Sequence, residues 1–248
     1  MSRFIKKLNR EPQAELPPMG FGRSPKAPKP RMLLVAEVKA GAAEASKLAV
    51  GADAILLKDT TKSIKDTGDT PCGILLGKNG SLKTAAEAGV DFIAFPPGVP
   101  LEIVEDEEVG KILVIEASME RDLVKVIGAM PLDAVLVSGE EVEHTPFTWH
   151  HFMLLRGIAA LCGKPLLLSI AADVGKDELQ LLLEAGVAGV VVEAKNSEEI
   201  KELCRIIDSL KPPSKGKKGK IRAIVPMRRE ETTSVIEEDD EDIEEEED

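Results

Sequence analysis

Apolar and polar positions between residues 32 and 210 follow two alternating rhythms. Short runs rich in Val, Ile and Leu occur at 32–38 (MLLVAEV), 54–57 (AILL), 73–76 (GILL), 91–95 (DFIAF), 112–116 (ILVIE), 133–138 (DAVLVS), 165–170 (PLLLSI) and 189–193 (GVVVE). Each is apolar almost without interruption, as a strand buried on both faces of a parallel sheet would be. Between them lie segments with helical spacing, at 42–50, 81–88, 118–129, 175–185 and 197–210. Ser81, Ser118 and Ser197 stand where N-caps are needed, the last followed by Glu198 and Glu199 in the first turn. The junctions VGADAIL, EAGVDFI, MPLDAVL and EAGVAGV mostly repeat one design, a glycine closing a helix and a buried strand starting two or three residues later.

Eight strands alternating with helices over some 180 residues predict an α/β fold, a compact (β/α)8 TIM barrel. The competing arrangement is a doubly wound open sheet, but no GxGxxG turn follows the first strand. Closure has a consequence. Strand eight would pair with strand one, bringing LVAEVK (34–39) beside VVVEAK (190–195).

Outside this region the pattern stops. Prolines at 12, 17, 18, 25, 28 and 30 leave only the first ten residues free to be helical. Residues 1–31 are expected to form a basic, Pro-rich, disordered arm, and 32–210 the barrel. KPPSKGKKGK opens a basic linker, 211–229, whose apolar stretch IRAIVPM (221–227) could add a strand or patch to the barrel. Residues 230–248, ending EEDDEDIEEEED, have too little apolar surface to offset ordering and are expected to be a disordered acidic tail. Charge is segregated accordingly, at +6, −13, +8 and −13 over these four segments, within a net −12.

Aromatic residues make up only 3% of the chain, with no Tyr, so the core must be assembled from Val, Leu, Ile and Ala. Cys72, Cys162 and Cys204 are odd in number and widely spaced, which argues against a disulfide framework and for a reducing cytoplasm. No apolar run reaches the roughly 20 residues needed to span a bilayer. MSRFIKKL, with three large apolar residues, could touch an anionic membrane surface only weakly. Nothing in the composition calls for a cofactor.

Candidate chemistry collects at strand C-termini, where barrel active sites lie. Side chains alternate along a strand, so Glu37 and Lys39 share a face with Leu33 and Val35, and Glu193 and Lys195 with Val191. If both sets face inward, two Glu-x-Lys pairs meet at the mouth. Other strand ends contribute Lys58 with Asp59, Lys78 with Asn79, Glu116, Ser138 with Glu140, and Ser169. Such a mouth could bind a small anion and move protons. Neighbouring carboxylates would keep the lysines charged, whereas burial would favour neutral, nucleophilic amines. Equally, the pairs could be a salt-bridged plug without a catalytic role.

The eight-unit rhythm and the junctions GADAIL, AGVDFI and AGVAGVVV resemble the aldolase-type, ribulose-phosphate-binding barrels, and VAEVK resembles the first strand of the indole-3-glycerol phosphate synthase family. The resemblance implies that Glu37 positions or exchanges a proton, that Lys39 is a general acid or anion ligand, and that Glu116 is a second catalytic glutamate. Where those barrels carry glycine-rich phosphate turns after strands seven and eight, this chain has SIAADVGK and EAKNSEE, whose acidic residues would repel a phosphate.

His144, His150 and His151 all fall in GEEVEHTPFTWHHFMLL, among Glu140, Glu141 and Glu143. Carboxylate and imidazole together suit a divalent metal, yet no HxxxH or HExxH spacing is present and no metal is expected. Thr145 and Pro146 read as N-cap and first helical residue. KGKKGK lacks interleaved aromatics, so nucleic acid is not an expected partner, whereas the arm or tail could contact a protein. Two functions follow: a lyase or isomerase taking a small anion, with Glu37, Lys39 and Glu116 catalytic and Lys58, Lys78, Ser138, Ser169, Glu193 and Lys195 binding substrate; or a catalytically degenerate barrel that binds partners through its charged tails.

Overall fold

A computed structural model describes residues 2–9, 32–39, 42–58, 69–101, 108–139 and 146–212. The eight strands are β1 (Leu33–Val38), β2 (Ala54–Lys58), β3 (Cys72–Leu75), β4 (Phe92–Phe95), β5 (Gly110–Ile115), β6 (Ala134–Val137), β7 (Leu166–Ile170) and β8 (Val187–Glu193). All neighbours are parallel and the sheet closes, β8 hydrogen-bonding β1. The seven helices among the described residues are α1 (Arg3–Leu8), α2 (Ala42–Leu48), α3 (Leu82–Glu87), α4 (Arg121–Ala129), α5 (Trp149–Cys162), α6 (Lys176–Ala185) and α7 (Ser197–Asp208). The (β/α)8 barrel expected from the hydrophobic rhythm is therefore present, with strand limits within two residues of the apolar runs.

Strand alternation divides the core in two. Leu34, Ala36, Val38, Ile55, Leu57, Val135, Val137, Val190 and Val192 face outward into the shell under the helices. Leu33, Val35, Ala54, Leu56, Phe92, Ala94, Ile112, Ala134, Leu136, Leu167 and Val191 fill the barrel interior. With most strand residues buried on both faces, the sequence shows runs rather than alternation. At the end of α6, Gly186 adopts φ 103°, and an added Cβ would sit 3.2 Å from Ala159 Cβ. Glycine is required there to turn the chain directly into β8.

The first residues are docked, not disordered. Ser2 caps α1 by accepting the Ile5 N–H at 3.2 Å. Phe4 and Ile5 are fully buried among the interior side chains, Phe4 lying 4.6 Å from Phe92 between ring centroids. Asp91, immediately before β4, accepts from Ser2 Oγ (2.6 Å), Arg3 N (2.8 Å) and Phe4 N (2.8 Å). α1 also reaches the backbone before β2, through Lys7 Nζ to the Asp53 carbonyl at 3.1 Å. It thus stoppers the N-terminal end of the barrel. Space for it comes from Gly110, whose missing Cβ would lie 2.6 Å from Ile5 Cγ1. Phe4 and Ile5 are committed to this core, with Leu8 packed partly buried against it. Residues 10–31 and 213–248, which hold the rest of the arm, the basic linker and the acidic tail, lie outside the described residues.

Three helix starts differ from expectation. Ser118 does not cap α4. Its hydroxyl donates to Glu116 Oε2 at 3.4 Å, and the helix begins after Glu120 with no side-chain cap. α7 begins at Ser197 itself, with Asn196 in the cap position. α5 begins at Trp149, capped by Thr148 rather than Thr145, because Thr148 Oγ1 accepts the His151 N–H (3.4 Å) while His151 Nδ1 accepts the Thr148 N–H (3.2 Å). Ser81 caps α3 as expected, accepting the Thr84 N–H at 3.3 Å. No helix among the described residues is long and apolar enough to cross a membrane.

Candidate functional site

β1 and β8 run in register, so Val35 opposes Val191 and Glu37 opposes Glu193. Val35 and Val191 belong to the interior cluster, which puts Glu37 and Glu193, two residues further on, at the same side of their strands. The two Glu-x-Lys stretches therefore meet at the C-terminal mouth. They engage crosswise: Lys39 Nζ donates to Glu193 Oε1 at 2.6 Å, spanning the β1–β8 seam. On the other side, Lys58, following Ala54 and Leu56 on the interior face of β2, holds its Nζ 3.7 Å from Glu37 Oε1.

Depth orders these charges. The Glu37 side chain is 16% exposed, that of Lys58 44%, and that of Lys39 62%. Glu193, at 44%, is as exposed as Lys58, so Glu37 lies deep and the other three charges stand at the rim. The hydrogen bond from Lys39, aided by its charge and by Lys195 and Lys58, holds the Glu193 carboxyl below its ordinary range, with burial opposing. Reciprocally, Glu193 by hydrogen bond and charge, with a smaller contribution from Glu37, holds Lys39 protonated above the usual lysine range. Lys39 is a fixed cation here, not an amine nucleophile.

Glu116 and Ser138 each lie one residue beyond an interior-facing strand, in the parity of Ile112 and Ala134 with Leu136. Ser169 occupies the interior parity of β7, two residues after Leu167. Polar groups are thereby contributed by β5, β6, β7, β8, β1 and β2. The opposite sector is apolar, since the last interior side chains of β3 and β4 are Leu75 and Ala94. Lys78 is not part of this set. It sits in the exposed turn Gly77–Gly80, closed by the Gly80 N–H to the Gly77 carbonyl at 2.9 Å, out of the interior parity of Gly73 and Leu75.

Helix N-termini after β7 and β8 are the usual anion positions of such barrels. Here the chain's own acid takes the first: Glu178 accepts the Gly175 N–H through Oε2 (3.0 Å) and the Phe147 N–H through Oε1 (3.0 Å). In the second, Glu198 and Glu199 fill the first turn of α7, and Asn196 Nδ2 donates to Glu199 at 3.0 Å. Sequence reasoning had noted the acidic turns but missed the Glu178 bridge to Phe147, a residue 31 positions away with no local signal.

Among the described residues no group of three or more His, Cys, Asp or Glu is arranged to hold a metal. His150 is exposed, and His151 spends its Nδ1 on the α5 cap. Asp59, Glu140, Glu141, Glu143, His144 and Thr145 lie outside the described residues. An apolar groove of about 290 Å³ runs between the start of α5 and α6, lined by Phe147, Trp149, Phe152, Leu181 and Leu182, with Glu178 at its edge.

No family model and no curated protein sequence matches the chain significantly. Solved structures do. Three mutant tryptophan synthase α-subunits from the hyperthermophile Pyrococcus furiosus superpose with TM-scores of 0.53, 0.55 and 0.52 at 19%, 17% and 17% sequence identity. Each alignment covers 74% of this chain and 99% of the subunit. The fold is theirs. The likeness is one of fold, a closed parallel (β/α)8 barrel.

Proposed function

We propose that the barrel is a small-molecule enzyme of lyase or isomerase type, working by proton transfer at its C-terminal mouth. The observation that carries this reading is the array of ion pairs across β8, β1 and β2, with Glu37 its deepest group and the Lys58 ammonium 3.7 Å away. A carboxylate held in a partly desolvated mouth beside cations can accept a proton from a carbon acid while the ammonium groups stabilise the anion that develops. In this reading Glu37 is the proton acceptor. Lys39 and Lys58, with Lys195 and Glu193 alongside, hold an anionic group of the substrate. Glu116 supplies a second carboxyl, and Ser138 and Ser169 hydrogen-bond the substrate from the far wall. Lys78, in its outer turn, has no part in it. The fold shared with tryptophan synthase α-subunits supports an enzyme-like barrel.

Because the bond broken or moved is unspecified, the test follows the proton. The full chain is incubated in D2O with a panel of small keto acids, hydroxy acids and amino acids, and deuterium incorporation at carbon is followed by NMR. Exchange with at least one class, falling roughly 10²-fold or more in Glu37→Gln, is expected for loss of a general base. Exchange that survives Glu37→Gln unchanged, or none across the panel, would remove the proposal. The second reading, a catalytically silent barrel, is favoured by the short Lys39–Glu193 contact acting as a plug. In that case Lys39→Met with Glu193→Leu would change stability by less than about 1 kcal/mol and alter no binding.

A further inference from the structure

The mouth carries a more specific statement about what it takes. Glu37 and Glu193 are register partners at the strand ends, Glu37 16% and Glu193 44% exposed. Two residues on, just past the ends of β1 and β8, come Lys39 and Lys195, and Lys58 ends β2 level with the start of that turn, since Val38 opposes Leu57. Three ammonium groups around two carboxylates, with Glu116 across the mouth, leave the site close to neutral, with Glu37 its deepest charge.

Each simple ion fits this arrangement poorly. A phosphate or a dicarboxylate would be held by the lysines and repelled by the carboxylates, and a diamine the reverse. After β7 the Gly175 N–H is already bonded to Glu178, whose carboxylate faces any anion at that turn, and Glu198 and Glu199 crowd the turn after β8. We infer that the mouth selects a small zwitterion, an amino-acid-like molecule whose ammonium descends to Glu37 and Glu193 and whose carboxylate stays with Lys39, Lys58 and Lys195. Its hydrocarbon portion lies against the apolar sector at Leu75 and Ala94. Binding exchanges the internal pairs Lys39–Glu193 and Lys58–Glu37 for ligand pairs of the same signs. The Lys39–Glu193 pair is exposed, so opening it costs the protein little, and the Lys58–Glu37 contact is long at 3.7 Å.

This inference rests on the reading of the mouth as a ligand site. It is tested with four-carbon probes that differ in charge type: 4-aminobutyrate, succinate and butane-1,4-diamine, with inorganic phosphate as a fourth. Each is titrated into the full chain at pH 7 and low ionic strength, followed by amide chemical shifts. The expected result is binding of 4-aminobutyrate at least tenfold tighter than any other probe, weakened at least tenfold both in Glu37→Gln and in Lys39→Met. Glu193→Gln tests the carboxylate pair should Glu37→Gln fail to fold. Tighter binding of succinate or phosphate, sensitive to Lys39→Met alone, would overturn the zwitterion while leaving an anion site at the mouth. Tighter binding of the diamine would overturn it in the opposite sense. If no probe perturbs the mouth, the inference falls, and the deuterium-exchange assay judges the enzyme reading independently.

Discussion

Replacing Phe4 with alanine should destabilise the entire barrel, although Phe4 lies 29 residues before Leu33, where β1 begins. The ring is fully buried in the interior and stacks on Phe92 at 4.6 Å. Truncating a buried Phe costs about 3–5 kcal/mol in transfer and cavity terms. For a protein of this size each kcal/mol shifts the midpoint by about 2–4 °C, so a fall of about 6–20 °C is expected. Urea denaturation monitored by far-UV circular dichroism should show a lower midpoint with an unchanged slope. A double-mutant cycle sharpens the point. Gly110→Ala places a Cβ 2.6 Å from Ile5 Cγ1 and should cost about 1–3 kcal/mol by overpacking. Ile5→Ala leaves a cavity costing about 2–5 kcal/mol. Since each change relieves the other, the double variant should be less destabilised than their sum by about 1 kcal/mol or more. A Phe4→Ala effect below about 0.5 kcal/mol, typical of a surface site, together with strict additivity at Ile5 and Gly110, would refute the docked helix.

Three further outcomes follow from the same geometry. Glu178→Ala removes the partner of the part-buried Phe147 N–H, while the exposed Gly175 N–H turns to water, and should cost about 1 kcal/mol in urea denaturation, more than Glu178→Gln, whose carbonyl can still accept from Phe147. Because the Glu193 carboxyl is held below its ordinary value, its pairing stabilises the native state above the ordinary Glu range and is lost as pH falls through the lowered value. The fall in melting temperature below pH 5 should therefore be shallower in Glu193→Gln. Burial, with a smaller contribution from Asp91, pushes the Cys72 thiol up to about 12, so native protein at pH 8 should react with a thiol reagent at half-buried Cys204 and not at Cys72 or Cys162. Between pH 9 and 12 the unfolded chain loses the Cys72 proton and the folded chain keeps it, so stability declines with pH in that window, less so in Cys72→Val.

The barrel was legible because its strands are buried on both faces. A run such as VVV at 190–192 has few other uses in a soluble domain, and eight of them with helices between admit few topologies. Closure then made the meeting of Glu37 with Glu193 a deduction from register. What stayed hidden depends on partners distant in sequence. Nothing near Phe4 announces that Asp91 will bind three donors of α1, nor that Gly110 is small to admit Ile5. Asp53 and Asp133, at equivalent junctions, instead accept from the preceding strand at Leu34 N (3.0 Å) and Lys111 N (2.8 Å), so the local motif alone does not reveal the different use of Asp91. Caps failed for a related reason. Ser118 has an acceptor two residues back in Glu116, and that competition leaves α4 to start three residues later. Lys78 follows a strand as Lys58 ends one, but the turn after β3 carries it away from the axis, a difference of parity that apolar runs without alternation do not disclose.

The central claim is that the charges at the mouth are a binding site and not a plug. It is tested most directly by thermal-shift titration of the full chain, α1 included, with 4-aminobutyrate and a panel of keto and hydroxy acids, against Lys39→Ala and Glu37→Gln. A ligand at 100 times its dissociation constant stabilises the native state by about 2.7 kcal/mol, a rise of about 5–11 °C. The account predicts such a rise with at least one ligand in the wild type and its disappearance in both variants. A rise that persists in both, or none in the wild type while Lys39→Ala melts no lower, would contradict it.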